Sequence, residues 1–132
     1  MVVRIYVVRH AEAAPGDPDD LRALTEHGQQ QARELGRRFV QKKIQPDAVL
    51  SSPLLRARQT ADAIAAATGI EPEPDERLAP GATADDVRAV VAGRGETVVV
   101  VGHQPDCGLI VAAIGGGPPP EFPAGGIREL EL

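Results

Sequence analysis

Tryptophan is missing from this 132-residue chain, and Tyr6, Phe39 and Phe122 are its only aromatic residues. Single-strand nucleic-acid binders stack bases on aromatic side chains and follow the backbone with a basic groove. Neither is present, and the formal net charge is −5, so no nucleic-acid partner is expected. A single cysteine, Cys107, excludes an intrachain disulfide and a cysteine-based zinc cluster. No apolar run is long enough to cross a bilayer. Residues 1–8 are apolar but short; Arg4 interrupts them, and Arg9-His10 follows where a signal peptide would have a small-residue cleavage site. These absences lead us to expect a cytoplasmic protein without a membrane partner. The length suits one domain, 1–132, and a monomer is expected.

What the chain does contain is an alternation of short β-branched runs with longer helical patterns, as in βα units around a mostly parallel sheet. Residues 2–8 form the first run. After a Pro/Gly/Asp loop, Thr25 opens a helix whose Ala32, Leu35, Gly36, Phe39 and Val40 share a face. Ala48-Val49-Leu50 reads as a buried strand. A second helix begins near Pro53, carries Leu54, Ala61, Ile64 and Ala65 on its core face, and stops at Gly69. A strand of two or three residues is expected around 71–73. Thr83, with Asp86 three residues later, caps a third helix with Val87, Val90 and Val91 inside. Thr97-Val98-Val99-Val100-Val101 is the strongest strand pattern. Pro105 starts a fourth helix through Leu109-Ile110-Val111 and Ile114, and residues 127–132 alternate like an edge strand.

The two best strands, Val7-Val8-Arg9-His10 and Val100-Val101-Gly102-His103, both stop at a histidine. In a parallel sheet with right-handed crossovers the carboxyl ends of all strands share one edge, and ligands bind in the crevice beyond it. Val49-Leu50-Ser51-Ser52 delivers Arg56 to that edge, about one helical turn on, and Arg9 already stands beside His10. Two guanidiniums, two imidazoles and nearby helix starts suit a tetrahedral oxyanion, because planar forks grip phosphate oxygens and helix amino termini favour negative charge. Taken alone, a histidine at a strand end is commonly a polar cap and an arginine a surface charge; the convergence favours a site. His27 has no such company and reads as a solvent-facing residue of the first helix.

Four segments carry a family resemblance. Arg9-His10-Ala11-Glu12 resembles the Arg-His-Gly/Ala motif of the histidine phosphatase superfamily, which includes the cofactor-dependent phosphoglycerate mutases. Ser52-Pro53-Leu54-Leu55-Arg56-Ala57-Arg58-Gln59-Thr60 is similar to its Ser-x-x-x-Arg-Ala…Thr signature. Val101-Gly102-His103-Gln104-Pro105 and Arg22-Ala23-Leu24-Thr25-Glu26-His27-Gly28 resemble two more. The order is kept along nearly the whole chain. The resemblance implies a single-domain three-layer α/β/α fold, phosphoglycerate mutase-like. It is most similar to compact SixA-type phosphohistidine phosphatases, since only residues 77–95 are available for a lid.

By position, the resemblance implies that His10 is the nucleophile, forming a covalent phosphohistidine, and that Arg9, Arg56 and His103 hold the phosphoryl oxygens. It implies no metal and no cofactor. Arg22 is a substrate-binding candidate that either reaches over the mouth or pairs with Asp17, Asp19 or Asp20 in its own loop. The general acid found in much of the superfamily has no obvious counterpart: Gln104 stands where one branch has Asp, and residues 77–83 contain no acid. Asp106 and Glu12 are the nearby carboxylates, with pairing to the helix dipole for Asp106 and orienting Arg9 or a loop for Glu12 as the plainer readings. A site without an acid favours a phosphoramidate, whose imidazole leaving group protonates easily, over alkyl esters. The expected partner is therefore a phosphorylated protein, such as a histidine-phosphotransfer or signalling domain. The alternatives are a general phosphatase of small phosphorylated molecules and a phosphate-binding module without turnover.

Overall fold

The structure, a computed structural model, describes residues 2–132. Met1, part of the apolar amino-terminal run, lies outside the described residues. In chain order the elements are β1 (Arg4–Arg9), α1 (Glu26–Gln41), β2 (Ala48–Ser51), α2 (Leu55–Thr68), β3 (Pro72–Pro74), α3 (Ala84–Val91), β4 (Thr97–Gly102), α4 (Asp106–Gly115) and β5 (Ile127–Glu131). Short 3-10 turns occupy Asp19–Leu21 and Glu76–Leu78. The strands form one sheet in the order β3-β2-β4-β1-β5. Every adjacent pair is parallel except β1 with β5, which is antiparallel and lies at the edge, as the alternating pattern of residues 127–132 predicts.

Side chains of the central strands alternate between two apolar layers, the consequence of the two-residue period of a strand. Tyr6, Val8, Val49, Val99 and Val101 pack against Leu35 and Phe39 of α1 and Ala57, Ala61 and Ile64 of α2. Ile5, Val7, Leu50, Val98 and Val100 face the other way, onto Val87, Val90 and Val91 of α3 and Cys107 and Ile110 of α4. The result is the expected three-layer α/β/α arrangement. Residues between β3 and β4 do not form a lid: Leu78 and the three valines of α3 are buried in that second layer. None of the described helices is long and apolar enough to cross a membrane.

Helix ends follow local chemistry. The Thr25 side chain accepts the Gly28 amide, and Thr83 with Asp86 forms a reciprocal capping box at α3. Gly69, at φ 77°, closes α2 in the left-handed conformation.

Several boundaries and faces differ from the sequence expectation. The first strand starts at Arg4 rather than at residue 2, because its ladder with β4 opens at the Arg4–Thr97 pair. α2 starts at Leu55, not near Pro53, because the Ser52 hydroxyl accepts the Leu54 amide and Leu54 stays extended. Pro105 precedes α4 rather than starting it. Val40, expected on the inner face of the first helix, is 54% exposed, and Leu109 of α4 is 53% exposed. Each is one residue away from a buried neighbour, Phe39 or Ile110, and one residue turns a helix position by roughly 100°.

Gly28 joins α1 to the loop after β1. A Cβ there would collide with the Glu12 carbonyl, whose oxygen also accepts the Thr25 amide at 3.0 Å. Gly28→Ala is expected to cost about 1–3 kcal/mol, the usual range for overpacking, measurable by urea denaturation. A variant as stable as the parent would mean that the loop yields freely.

Candidate active site

The parallel ladder ends with Arg9 paired to Gly102, and the His10 amide donates to the Gly102 carbonyl at 3.0 Å. One more residue on each strand brings the two imidazoles together, with ring centroids 5.2 Å apart. The structure thus gathers His10, His103, Arg9 and Arg56 at the carboxyl edge of the sheet, as the strand pattern predicts. His10 is 9% exposed, His103 4% and Arg56 6%.

His10 is held by its own loop. Its Nδ1 lies 2.7 Å from the Ala11 carbonyl, which can only accept, so Nδ1 carries the proton and Nε2 keeps its lone pair. The Ala11 amide donates to Thr60 Oγ1, whose hydroxyl donates back to the Arg56 carbonyl in α2. Burial lowers the His10 pKa, the Ala11 bond opposes that, and the charges of Arg56, Arg9 and Arg22 lower it further. His103 is pushed down to about 4 by burial first, then by His10 and Arg56; Asp19 acts in the opposite direction. Both rings are neutral at pH 7.

Among the described residues, the buried side-chain nitrogens or oxygens without a hydrogen-bond partner are Arg9 Nε, Arg56 Nε and His103 Nδ1. All three belong to this site. Unpartnered buried polar atoms cost free energy, and their concentration around one pair of rings marks a place built to receive a hydrogen-bonding ligand. Other arms of the guanidiniums are anchored: Arg9 donates through one terminal nitrogen to the Phe122 carbonyl at 2.8 Å, and Arg56 through both to the Asp19 carbonyl at 2.9 Å and its carboxylate at 3.2 Å.

Asp19 is the residue that the sequence reading missed at this position. Arg22 and Arg56 share its carboxylate and hold it below the usual range. Its sequence signal was the three-residue offset to Arg22, which suggested the local pair and gave no hint of Arg56. Arg22 also donates to the Ala14 carbonyl at 2.9 Å. Its loop pairing is therefore formed, while its charge still bears on His10.

The acid candidates are all engaged elsewhere. Glu12 accepts from Thr25 Oγ1 at 2.9 Å, its loop-orienting role, and makes no bond to Arg9. Asp106 accepts the Gly81 amide at 2.8 Å, fastening the 79–83 loop to the start of α4. Gln104 folds back to accept the Gly108 amide at 2.9 Å. No group of three or more His, Cys, Asp or Glu among the described residues is arranged to hold a metal ion.

The sequence profile of the histidine phosphatase superfamily (branch 1) matches residues 5–80, a span that includes Arg9, His10, Arg22 and Arg56. The chain belongs to this superfamily. An uncharacterised protein of Picosynechococcus is 37% identical over 120 residues, which are 85% of this chain and 73% of that protein. A structure from Agrobacterium tumefaciens, assigned as a phosphohistidine phosphatase SixA, superposes with a TM-score of 0.85 at 30% identity, over 98% of this chain and 91% of the other. The protein histidine phosphatase SixA complexed with tungstate gives a TM-score of 0.87 at 27% identity, over 96% and 86%. Against mitochondrial Pgam5 phosphatases of Drosophila the match is partial, spanning 21% of their length. Membership and the SixA neighbours place the activity among phosphatases, and the fold is the SixA-like form of the superfamily.

The depressed His103 pKa has a consequence for stability. The unfolded chain binds the proton with a pKa near 6.5, the folded chain only near 4, so between these values the unfolded state takes up more protons. The His103 contribution is fully present above pH 6.5 and is lost as pH falls toward 4. It amounts to something on the order of 3 kcal/mol. Urea denaturation at pH 7 and 4.5 should show the loss in the parent protein and a smaller one in His103→Gln. An equal loss in both would place the acid sensitivity elsewhere.

Proposed function

We propose that the protein is a phosphohistidine phosphatase working through a covalent phosphohistidine on His10. The observation that carries this reading is the pairing of a neutral His10, its Nε2 lone pair unused, with three unpartnered nitrogens, Arg9 Nε, Arg56 Nε and His103 Nδ1. A tetrahedral phosphoryl group supplies the acceptors that the two guanidinium Nε–H groups lack, and its phosphorus is the electrophile for Nε2. Tungstate, the ligand of the SixA neighbour, is a tetrahedral oxyanion of the same kind.

In the first step His10 Nε2 bonds to phosphorus as the bond to the leaving group breaks, and the leaving nitrogen keeps that electron pair. Arg9, Arg56 and His103 hold the equatorial oxygens, where charge gathers. In the second step water attacks phosphorus, the P–N bond to His10 breaks, and inorganic phosphate leaves. The two guanidiniums of Arg9 and Arg56 take the role that a divalent metal plays in other phosphoryl transfers, so turnover in this reading is unchanged by EDTA.

The substrate reading rests on the missing acid. Glu12, Asp106 and Gln104 are tied to backbone or to Thr25, and Asp19 is kept ionised by two arginines. An alkoxide would leave unassisted, whereas the imidazole of a phosphohistidine takes a proton from water easily. The substrate class is therefore phosphohistidine on a histidine-phosphotransfer or signalling domain, met in the cytoplasm by a monomer, with Arg22 beside the mouth as a substrate contact.

A substrate panel with wild type and His10→Ala tests this. Wild type should dephosphorylate a phosphorylated phosphotransfer domain, act on phenyl phosphate far better than on alkyl phosphates, and carry acid-labile label on His10. His10→Ala should do none of these. Efficient turnover of alkyl phosphates with the phosphodomain untouched overturns the substrate reading, and absence of label on His10 overturns the mechanism. Because the His10 pKa is lowered, the acid limb of kcat/KM should lie below pH 6.5. Asp19→Asn should tighten tungstate binding several-fold by releasing Arg56 from a competing carboxylate; weaker binding would give Asp19 a supporting role instead.

A further inference from the structure

Ser52 takes no part in the chemistry derived so far. It is fully buried at the end of β2, and its hydroxyl oxygen lies 2.7 Å from His103 Nε2. The same oxygen accepts the Leu54 amide at 3.2 Å. β2 and β4 are adjacent and parallel, with Ser51 level with Val101. Each strand then runs on to its polar residue, and the Ser52 amide donates to the Val101 carbonyl at 2.9 Å. Sheet register alone therefore sets a hydroxyl against one nitrogen of the second histidine.

We propose that Ser52 is a positioning residue that fixes the tautomer of His103, donating its hydroxyl proton to Nε2 so that Nδ1 carries the ring proton toward the oxyanion site. A neutral imidazole has one proton to place. If it were on Nε2, that nitrogen would donate to Ser52 Oγ. The hydroxyl proton would then need another acceptor in a fully buried position, and Nδ1 would be a bare lone pair among cations. If the proton is on Nδ1, Ser52 accepts from Leu54 and donates to Nε2, and both its bonds are satisfied. The one group left over is an Nδ1–H donor, and Nδ1 is the atom of His103 that has no partner in the structure. All three unpartnered atoms of the site are then donors, two guanidinium Nε–H and one imidazole N–H, the complement of an oxyanion.

The consequence separates the two histidines by what they present. Both carry the proton on Nδ1. His10 spends that proton on the Ala11 carbonyl and presents a lone pair, while His103 spends its lone pair on Ser52 and presents a proton. A ring that stays neutral can do this without the cost of burying a further charge beside two arginines, and burial keeps His103 neutral down to about pH 4. The tautomer assignment stands on the free protein; its value for turnover rests on the phosphatase reading above.

The test reads the two levels separately. Nitrogen NMR of histidine-labelled protein at pH 7 should show His103 with a protonated Nδ1 and an unprotonated Nε2, and His10 the same. In Ser52→Ala the His103 signals should move toward the Nε2–H form while those of His10 stay, and Ser52→Thr, which keeps a hydroxyl, should restore them. With the phosphodomain as substrate, Ser52→Ala should lower kcat by about ten- to a hundredfold, somewhat less than deletion of a whole oxyanion donor, with KM changed little. A wild-type spectrum with the proton on His103 Nε2 overturns the proposal whether or not the variant folds. So does a Ser52→Ala spectrum identical to wild type. If the spectra come out as expected but no label appears on His10, the phosphatase mechanism fails and the tautomer assignment stands.

Discussion

The parallel pairing of β1 with β4 is the contact on which the rest of the site depends. Its ladder from Arg4–Thr97 to Arg9–Gly102 continues one step further, through the His10 amide to the Gly102 carbonyl. A slip of one residue would turn every side chain of the strand to the opposite layer, which the two apolar faces forbid: Tyr6 and Val8 fit beneath α1 and α2, Ile5 and Val7 beneath α3 and α4. Core packing thus fixes the register, and the register fixes where both imidazoles lie. β2, joined to β4 on its other side, brings Ser52 and then Arg56 under the same constraint.

A site of this kind works against the stability of the fold that holds it. Two guanidiniums stand near two buried rings, and three of their nitrogens lack partners. Each unpartnered donor costs about 1–3 kcal/mol, a substantial share of the few kcal/mol by which small domains are stable. The protein limits that cost in two ways. The rings stay neutral, which avoids burying further charge, and one outer arm of Arg9 and both of Arg56 are satisfied by the Phe122 carbonyl and by Asp19. The orphaned atoms that remain are the ones with a chemical use.

Much of this was legible in the sequence, and the parts that were not share a cause. Strands ending in His10 and His103 could be read because alternation, burial and chain direction are properties of a segment. Arg56 could be placed because it follows a strand end by a fixed short distance. The inner face of α1 is narrower than the sequence pattern, which takes in Val40, because an apolar side chain at the margin of a helix face is tolerated in solvent. Asp19 on Arg56, Ser52 on His103 and the Phe122 carbonyl on Arg9 are contacts between segments far apart in sequence. One of them uses a backbone atom that no residue type announces. For the carboxylates near the motifs the plainer readings were the useful ones: Glu12 and Asp106 are close in sequence to the histidines, and their hydrogen bonds go to Thr25 and Gly81.

The carboxyl-terminal loop has a larger share in the site than its proline-rich composition suggests. The Phe122 carbonyl holds Arg9, the Gly126 carbonyl accepts the Arg9 amide, and the Gly125 amide reaches the His10 carbonyl at 3.1 Å, while the Phe122 ring is buried in the core. Opening of this loop takes the support from Arg9 and from the backbone of His10 at once. Segments that open together exchange their amides together, so the Gly125 amide and the Arg9 amide, bonded across this loop, are expected to exchange as one unit.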